Sequence, residues 1–182
     1  EIVKALDKHG LADNTLVIVT SDNGCSPQAN FKELEGHGHD PSYVFRGHKA
    51  DIYEGGHRIP FLVRWPGRVK PGTESDQTIC LTDLMATCAE ITGAKLPDTA
   101  GEDSVSIVPA LEGKATKPLS EATVHHSING SFAIRQGKWK LELCPGSGGW
   151  SAPRPGRDNT SSLPPVQLYD VEADVAEERN LQ

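Results

Sequence analysis

An α/β fold built on a parallel sheet, followed by a small antiparallel sheet, is what this sequence predicts, and three observations carry the prediction. Leu16-Val17-Ile18-Val19 is a continuous apolar run with β-branched residues, the pattern of a strand buried on both faces. A helical pattern precedes it, and a helix leading into a buried strand is an α/β arrangement. Far downstream, two short alternating segments flank Gln136-Gly137, which marks a β-hairpin.

Taken in order, Ile2, Val3, Ala5 and Leu6 stand at helical spacing, and Gly10 occupies the place of a left-handed cap. The apolar strand then ends abruptly at Ser21-Asp22-Asn23-Gly24, where glycine permits a tight exit. Ser26 and Pro27 suit the cap and first position of a short helix that carries Phe31 and Leu34 and stops at Gly36. Residues 36–58 show little regular pattern but much chemistry, and long irregular loops inside a domain tend to be functional. Ile59-Pro60-Phe61-Leu62-Val63-Arg64-Trp65 reads as a second strand, closed by Pro66-Gly67. Thr82 is the expected cap of a helix with Leu84, Met85, Cys88 and Ile91 on its apolar face, ended by Gly93. Met85 and Cys88 are read there as core residues. Residues 131–135 and 138–143 form the hairpin, residues 144–165 an irregular loop, and Val166–Asp170 a last strand. Domain organisation follows: residues 1–120 are the α/β part and residues 121–182 a small antiparallel subdomain.

Composition limits the function. The 182 residues carry 18 Lys and Arg against 25 Asp and Glu, a formal charge of −7. This balance argues against a nucleic acid or an anionic membrane as partner, since both require a basic footprint. No apolar run approaches the roughly 20 residues of a membrane-spanning helix. Cys25, Cys80, Cys88 and Cys144 contain no C-x-x-C pair, which speaks against structural zinc and leaves three disulfide pairings or free thiols open. Glu1-Ile2-Val3-Lys4-Ala5-Leu6 looks like the middle of a helix, so the chain is read as a fragment with any targeting signal outside it.

In open α/β sheets, ligands bind beyond the carboxyl ends of the strands, where Asp22 and Asn23 stand. Both offer hard oxygen atoms suited to Ca²⁺ or Mg²⁺. Alone, Asp-Asn-Gly is a turn, and Lys49 alone is a solvated lysine. Together with Arg46-Gly47-His48-Lys49 and Glu54-Gly55-Gly56-His57-Arg58-Ile59-Pro60, they form a pattern. The chain resembles the sulfatases, the formylglycine-dependent sulfate ester hydrolases of the alkaline phosphatase superfamily. That family carries T-S-D-N-G at a strand end, followed by G-x-K-x-x-x-x-E-G-G-x-R-x-P. Ala133-Ile134-Arg135, Trp139-Lys140-Leu141, Leu168-Tyr169-Asp170 and Asn180-Leu181 also match its closing segments.

The resemblance implies the C-terminal portion of an alkaline-phosphatase-like sandwich. It implies Asp22 and Asn23 as ligands of Ca²⁺, with Mg²⁺ as the other hard cation, and Lys49 as the catalytic cation on the sulfate and leaving-group oxygens. His37, His39, Arg46 and His126 are the candidate substrate contacts; His126 and His125 are adjacent on a strand and must face opposite sides. Arg58 is expected to pair with a carboxylate such as Glu54. The substrate class is a sulfated small molecule or a sulfated carbohydrate, and family habit is export to a periplasm, lysosome or exterior.

Where the family makes formylglycine from C-x-P-x-R, this chain has Cys25-Ser26-Pro27-Gln28-Ala29, without the arginine and after the metal pair rather than before it. The formylglycine and the remaining aspartate ligands are therefore expected in an N-terminal part, and the fragment alone is expected to be inactive. A superfamily phosphatase or phosphodiesterase with two zinc ions, and a non-catalytic binding or scaffold module that self-associates to cover a sheet edge, are the competing readings.

Overall fold

The computed structural model describes all 182 residues, Glu1–Gln182. In chain order its regular elements are α1 (Ile2–Lys8), β1 (Val17–Thr20), α2 (Phe31–Gly36), α3 (Glu54–His57), β2 (Phe61–Arg64), α4 (Leu84–Thr92), α5 (Val108–Leu111), β3 (Thr123–His126), β4 (Phe132–Gln136), β5 (Trp139–Glu142) and β6 (Gln167–Asp170). They divide into two compact units. One comprises Glu1–Thr20 with Pro60–Glu121, the other Ser21–Ile59 with Ala122–Gln182. The long loop therefore groups with the C-terminal sheet.

In the first unit, β1 and β2 form a two-stranded antiparallel ribbon with Ile18 opposite Val63. The sequence suggested a strand buried on both faces, yet Val19 and Leu62 are exposed. Burial of both faces needs a neighbour on each edge and a layer on each side; β1 has one neighbouring strand. The helix expected to be capped at Thr82 begins at Leu84, after a 3₁₀ turn over Leu81–Asp83. The Asp83 carboxylate accepts the N–H groups of Cys80 (2.8 Å) and Val105 (3.0 Å). Thr87 donates to Asp83 O and accepts from Ile107 N–H. These bonds turn Thr87 and Ala89 inward, and Met85 and Cys88, read as core, lie exposed. Gly93, at φ +69°, ends α4 as expected.

The second unit is built on a four-stranded antiparallel sheet in the order β3-β4-β5-β6. The register sets two inward rows across it: His125–Ala133–Glu142–Gln167 and Thr123–Arg135–Lys140–Tyr169. Ile52 and Tyr53 pack onto this face with Ala133, Cys144, Tyr169 and Val171 to form the apolar core. The opposite face presents Val124, Phe132, Ile134 and Trp139, all exposed. Ser26 caps the turn Pro27–Ala29 as expected, but Asn30 at φ +57° separates that turn from α2. All four cysteines are free thiols.

Candidate active site

Beyond β1 the chain turns through Ser21-Asp22-Asn23-Gly24, and glycines join this turn to the Lys49 loop. Gly24 N–H donates to Gly56 O at 2.9 Å, and a Cβ on Gly24 would lie 1.7 Å from Gly55 O. Gly55 N–H donates to Arg46 O at 2.8 Å, and a Cβ there would meet Gly47 O at 2.3 Å. Lys49 N–H closes the assembly by donating to Cys25 O at 3.0 Å. The E-G-G signature is thus a steric requirement, because two backbones touch where any side chain would part them.

Three functional groups on this assembly are unengaged. Asn23 Nδ2 donates to Gly24 O at 3.2 Å, which directs the amide and leaves its Oδ1 without a partner. The Asp22 carboxylate is exposed, and Lys49 is half-buried. Neither takes part in any ion pair of the chain. A carboxylate and an amide oxygen side by side, with no thiolate or imidazole beside them, fit a hard divalent cation. They would supply two of the about six to eight oxygens that Ca²⁺ takes. No group of three or more His, Cys, Asp or Glu side chains is arranged to hold a metal ion.

The loop around Lys49 is held from the sheet side. Ala50 adopts φ +86°, a left-handed conformation that an alanine keeps only when its surroundings impose it. Its carbonyl accepts Ile128 N–H at 3.0 Å, and Ile52 N–H donates to Ser147 O at 2.8 Å. Between them, the Asp51 carboxylate is fully buried and accepts N–H groups from His48, Trp150 and Ser151. The His48 ring packs edge-on to Phe31 of α2.

Behind the glycine pair lies a buried charge cluster. Lys140 Nζ stands 2.7 Å from Glu177, 3.2 Å from Glu54 and 3.3 Å from Glu142, all inaccessible or nearly so. Glu177 Oε2 also accepts Glu54 N–H at 2.6 Å, in the first turn of α3. Glu54 pairs with Arg58 (3.3 Å), the partnership expected from the sequence, and with Arg135 (3.2 Å). Burial pushes the Glu54 carboxyl up, but Lys140 and Arg135 outweigh it and hold the group below the usual carboxylate range. Burial, with the neighbouring Glu177 adding to it, drives Glu142 in the opposite direction despite Lys140. Beside the cluster, the rings of His57 and His125 lie with centroids 4.1 Å apart, tilted by 52°, each with a buried Nε2 that has no partner. Burial, followed by the neighbouring His125 and Lys140, lowers His57 to about 3; burial and Lys140 lower His125 to about 4.

The structure brings Asp22, Asn23 and Lys49 onto one backbone assembly. His37 and His39 lie exposed at the end of α2, without side-chain partners. Arg46 sits over the Tyr53 ring at 4.0 Å and donates from Nη1 to Glu177 O (2.7 Å) and Tyr169 Oη (3.4 Å). His126 is exposed on the outer side of β3, its Nδ1 2.9 Å from Ser127 O, while His125 faces inward to His57. Asp51, Lys140, Glu142 and Glu177 carry much of the assembly and were not singled out by sequence reasoning. Charged residues at strand positions that alternate toward the core, Lys140 and Glu142, were the one available signal.

Comparison with known proteins identifies the family. The family described as Sulfatase matches residues 1–94. An N-acetylgalactosamine-6-O-sulfatase of Bacteroides thetaiotaomicron is 36% identical over the whole chain. Among solved structures, one described under metabolism of multiple glycosaminoglycans by Bacteroides thetaiotaomicron superposes with a TM-score of 0.80 at 33% identity, over 99% of this chain and 37% of its own. A second, Ps i-CgsB in complex with a neocarrahexaose, gives 0.69 at 25% identity, over 99% and 35%. The chain spans about 35% of the length of the galactosamine sulfatase it matches.

Proposed function

The chain belongs to the sulfatase family, and from that membership we propose that it forms the C-terminal part of a sulfuric ester hydrolase, contributing Asp22, Asn23 and Lys49 to the active site. The observation that carries the reading is the glycine-mediated junction, which joins the Asp22-Asn23 turn to the Lys49 loop and leaves three polar groups unpaired.

Hydrolysis of a sulfate ester moves negative charge onto the leaving oxygen, and fixed cations preorganised around that charge lower the barrier. A Ca²⁺ (or Mg²⁺) held by Asp22 and Asn23 would polarise the sulfuryl oxygens. Lys49 places a positive charge against the sulfate and the leaving oxygen; an ammonium is also a proton donor for that oxygen as the bond breaks. The Glu54-Gly55-Gly56 turn shapes the loop and does not touch substrate. Cys25 lies after the metal pair and lacks the C-x-P-x-R arginine, so the nucleophile comes from outside these 182 residues.

The substrate is a sulfated carbohydrate in this reading, supported by a galactosamine-sulfatase relative and a structural neighbour complexed with an oligosaccharide. His37, His39 and His126 offer exposed imidazoles to its hydroxyl and acidic groups, and Arg46 the N–H groups it does not use internally. In the complete enzyme, Lys49→Ala is expected to lower kcat by about 10²–10³-fold on a sulfated sugar, the magnitude of losing one preorganised donor. The 182-residue chain by itself is expected to turn over no aryl sulfate. An unchanged kcat in the variant, or turnover by the purified chain, overturns the assignment.

A further inference from the structure

We propose that Asp51 is the positioning residue of this site, a buried clamp that aims Lys49 by tying its loop to the glycine-rich loop of residues 144–153. The proposal rests on the sulfatase reading for the role of Lys49, but the clamp is geometry. Asp51 Oδ2 accepts His48 N–H at 2.9 Å, the residue directly before Lys49. Its Oδ1 accepts Trp150 N–H at 2.6 Å and Ser151 N–H at 3.0 Å, from about 100 residues away in sequence. The carboxylate is 0% exposed, with no lysine or arginine against it; backbone donors meet both of its oxygens, and the His48 Nδ1 stands 3.4 Å away.

The chemistry demands a carboxylate. Acceptors are needed on both oxygens at once, and an asparagine has one acceptor and one donor. Size is equally constrained. A Cβ on Gly149 would fall 2.4 Å from Oδ1, and one on Gly47 2.8 Å from Oδ2, so aspartate fills the space between two glycines. The clamp also accounts for Ala50. That residue lies between Lys49 and Asp51 at φ +86°, and such a bend persists only when both sides are fixed. Lys49 N–H on Cys25 O fixes one side, and Ile128 N–H on Ala50 O with the Asp51 carboxylate fixes the other. The bend sets the direction in which Lys49 leaves the backbone.

Two variants test this. Asp51→Asn keeps the shape but satisfies one loop only. Ala50→Gly removes the backbone strain, folds without penalty at this φ, and loosens the bend. In the 182-residue chain, Asp51→Asn is expected to accelerate amide exchange at His48, Trp150 and Ser151 by at least about tenfold relative to amides of β4 and β5. In the complete enzyme, both variants are expected to lower kcat/KM on a sugar sulfate at least about tenfold more than on 4-nitrophenyl sulfate. A charge placed on the leaving oxygen matters most where that oxygen leaves poorly. A smaller folded fraction would scale both substrates equally. Unchanged exchange at the three amides overturns the clamp. Equal losses on the two substrates in either variant overturn the positioning role. An unmutated complete enzyme that hydrolyses neither sulfate overturns the sulfatase reading instead, and the two failures are thereby told apart.

Discussion

The same unit of this protein contains two sets of charged and polar groups treated in opposite ways. Glu54, Lys140, Glu142 and Glu177 are buried and converge, with Lys140 within 3.3 Å of all three carboxylates. Asp22, Asn23 and Lys49 are left with a free carboxylate, a free amide oxygen and a free ammonium. Removing charges from water costs several kcal/mol each and is offset only by near-complete pairing. Lys140, Glu54 and Glu177 meet that condition and hold the glycine turn in place, while Glu142 keeps a buried Oε1 without a hydrogen bond and is driven up by burial. The second forgoes pairing, which is expected of groups that await a ligand. Under the proposed function, stability and chemistry fall to different residues here, and substitutions should separate them.

The largest effect is expected at Lys140. Lys140→Met leaves Glu177 buried without its cation and strips Glu54 of one of its three, and breaking a buried pair in this way costs about 3–5 kcal/mol. Urea unfolding followed by tryptophan fluorescence measures it, with Trp139 and Trp150 in the affected unit. Adding Glu177→Gln is expected to recover part of the loss. A single variant as stable as the parent would mean that the cluster is not the structural half of the contrast.

Next in size is acid lability from the His57–His125 pair. Both rings titrate well below the ordinary histidine value in the folded chain, to about 3 and about 4. The unfolded chain therefore takes up protons first as pH falls below about 6.5. The pair costs nothing above that pH, and stability drains away between about 6.5 and 4 for His125 and down to about 3 for His57. At pH 5 the loss is about 2 kcal/mol for each ring. Lys140, Glu54 and Arg135 also face the pair, so the diagnostic is a difference: His57→Leu should remove about half of the histidine-dependent fall between pH 7 and pH 5. An unaltered pH dependence in a double Leu variant would break the account. Smaller again is Gly24→Ala, whose methyl would press on Gly55 O; overpacking of this kind costs about 1–3 kcal/mol. It should also separate the Asp22 turn from the Lys49 loop, seen as loss of protection at Gly24 N–H.

What the sequence disclosed follows the same division. Asp22, Asn23, Lys49 and the glycine pair stood out through the family motif they share, and the structure joins them through local features: a strand end, a tight turn, backbones that touch. The clamp and the cluster were not, since Asp51 meets Trp150 at a separation of 99 residues and Lys140 meets Glu177 at 37. Buried charges also look like solvated ones until the pairing is known. The hairpin was legible from its turn, and β4 and β5 fall within the predicted segments. Burial of β1 was misjudged because an apolar run reports what a strand prefers to contact, not how many neighbours it has. Met85 and Cys88 failed for a related reason: hydrogen bonds accepted by Asp83 and made by Thr87, not apolar spacing, select the buried face of α4.

The smallest expected effect sharpens the comparison most. Asp22→Asn and Lys49→Met remove charges that have no intramolecular partner, and surface-type substitutions of this kind stay within about 0.5 kcal/mol of the parent. Unfolding midpoints of the two variants should coincide with that of the unaltered chain within this margin, at pH 7 and in the absence of divalent cations. With Ca²⁺ added, a ligand that binds only the folded chain raises the midpoint by mass action, and Asp22→Asn should abolish that rise while Lys49→Met preserves or enlarges it, since a neighbouring ammonium disfavours a bound cation. A destabilisation by either variant comparable to that of Lys140→Met would place Asp22 and Lys49 among the groups that hold the loop, and the separation of chemistry from stability would fail at the residues where it matters.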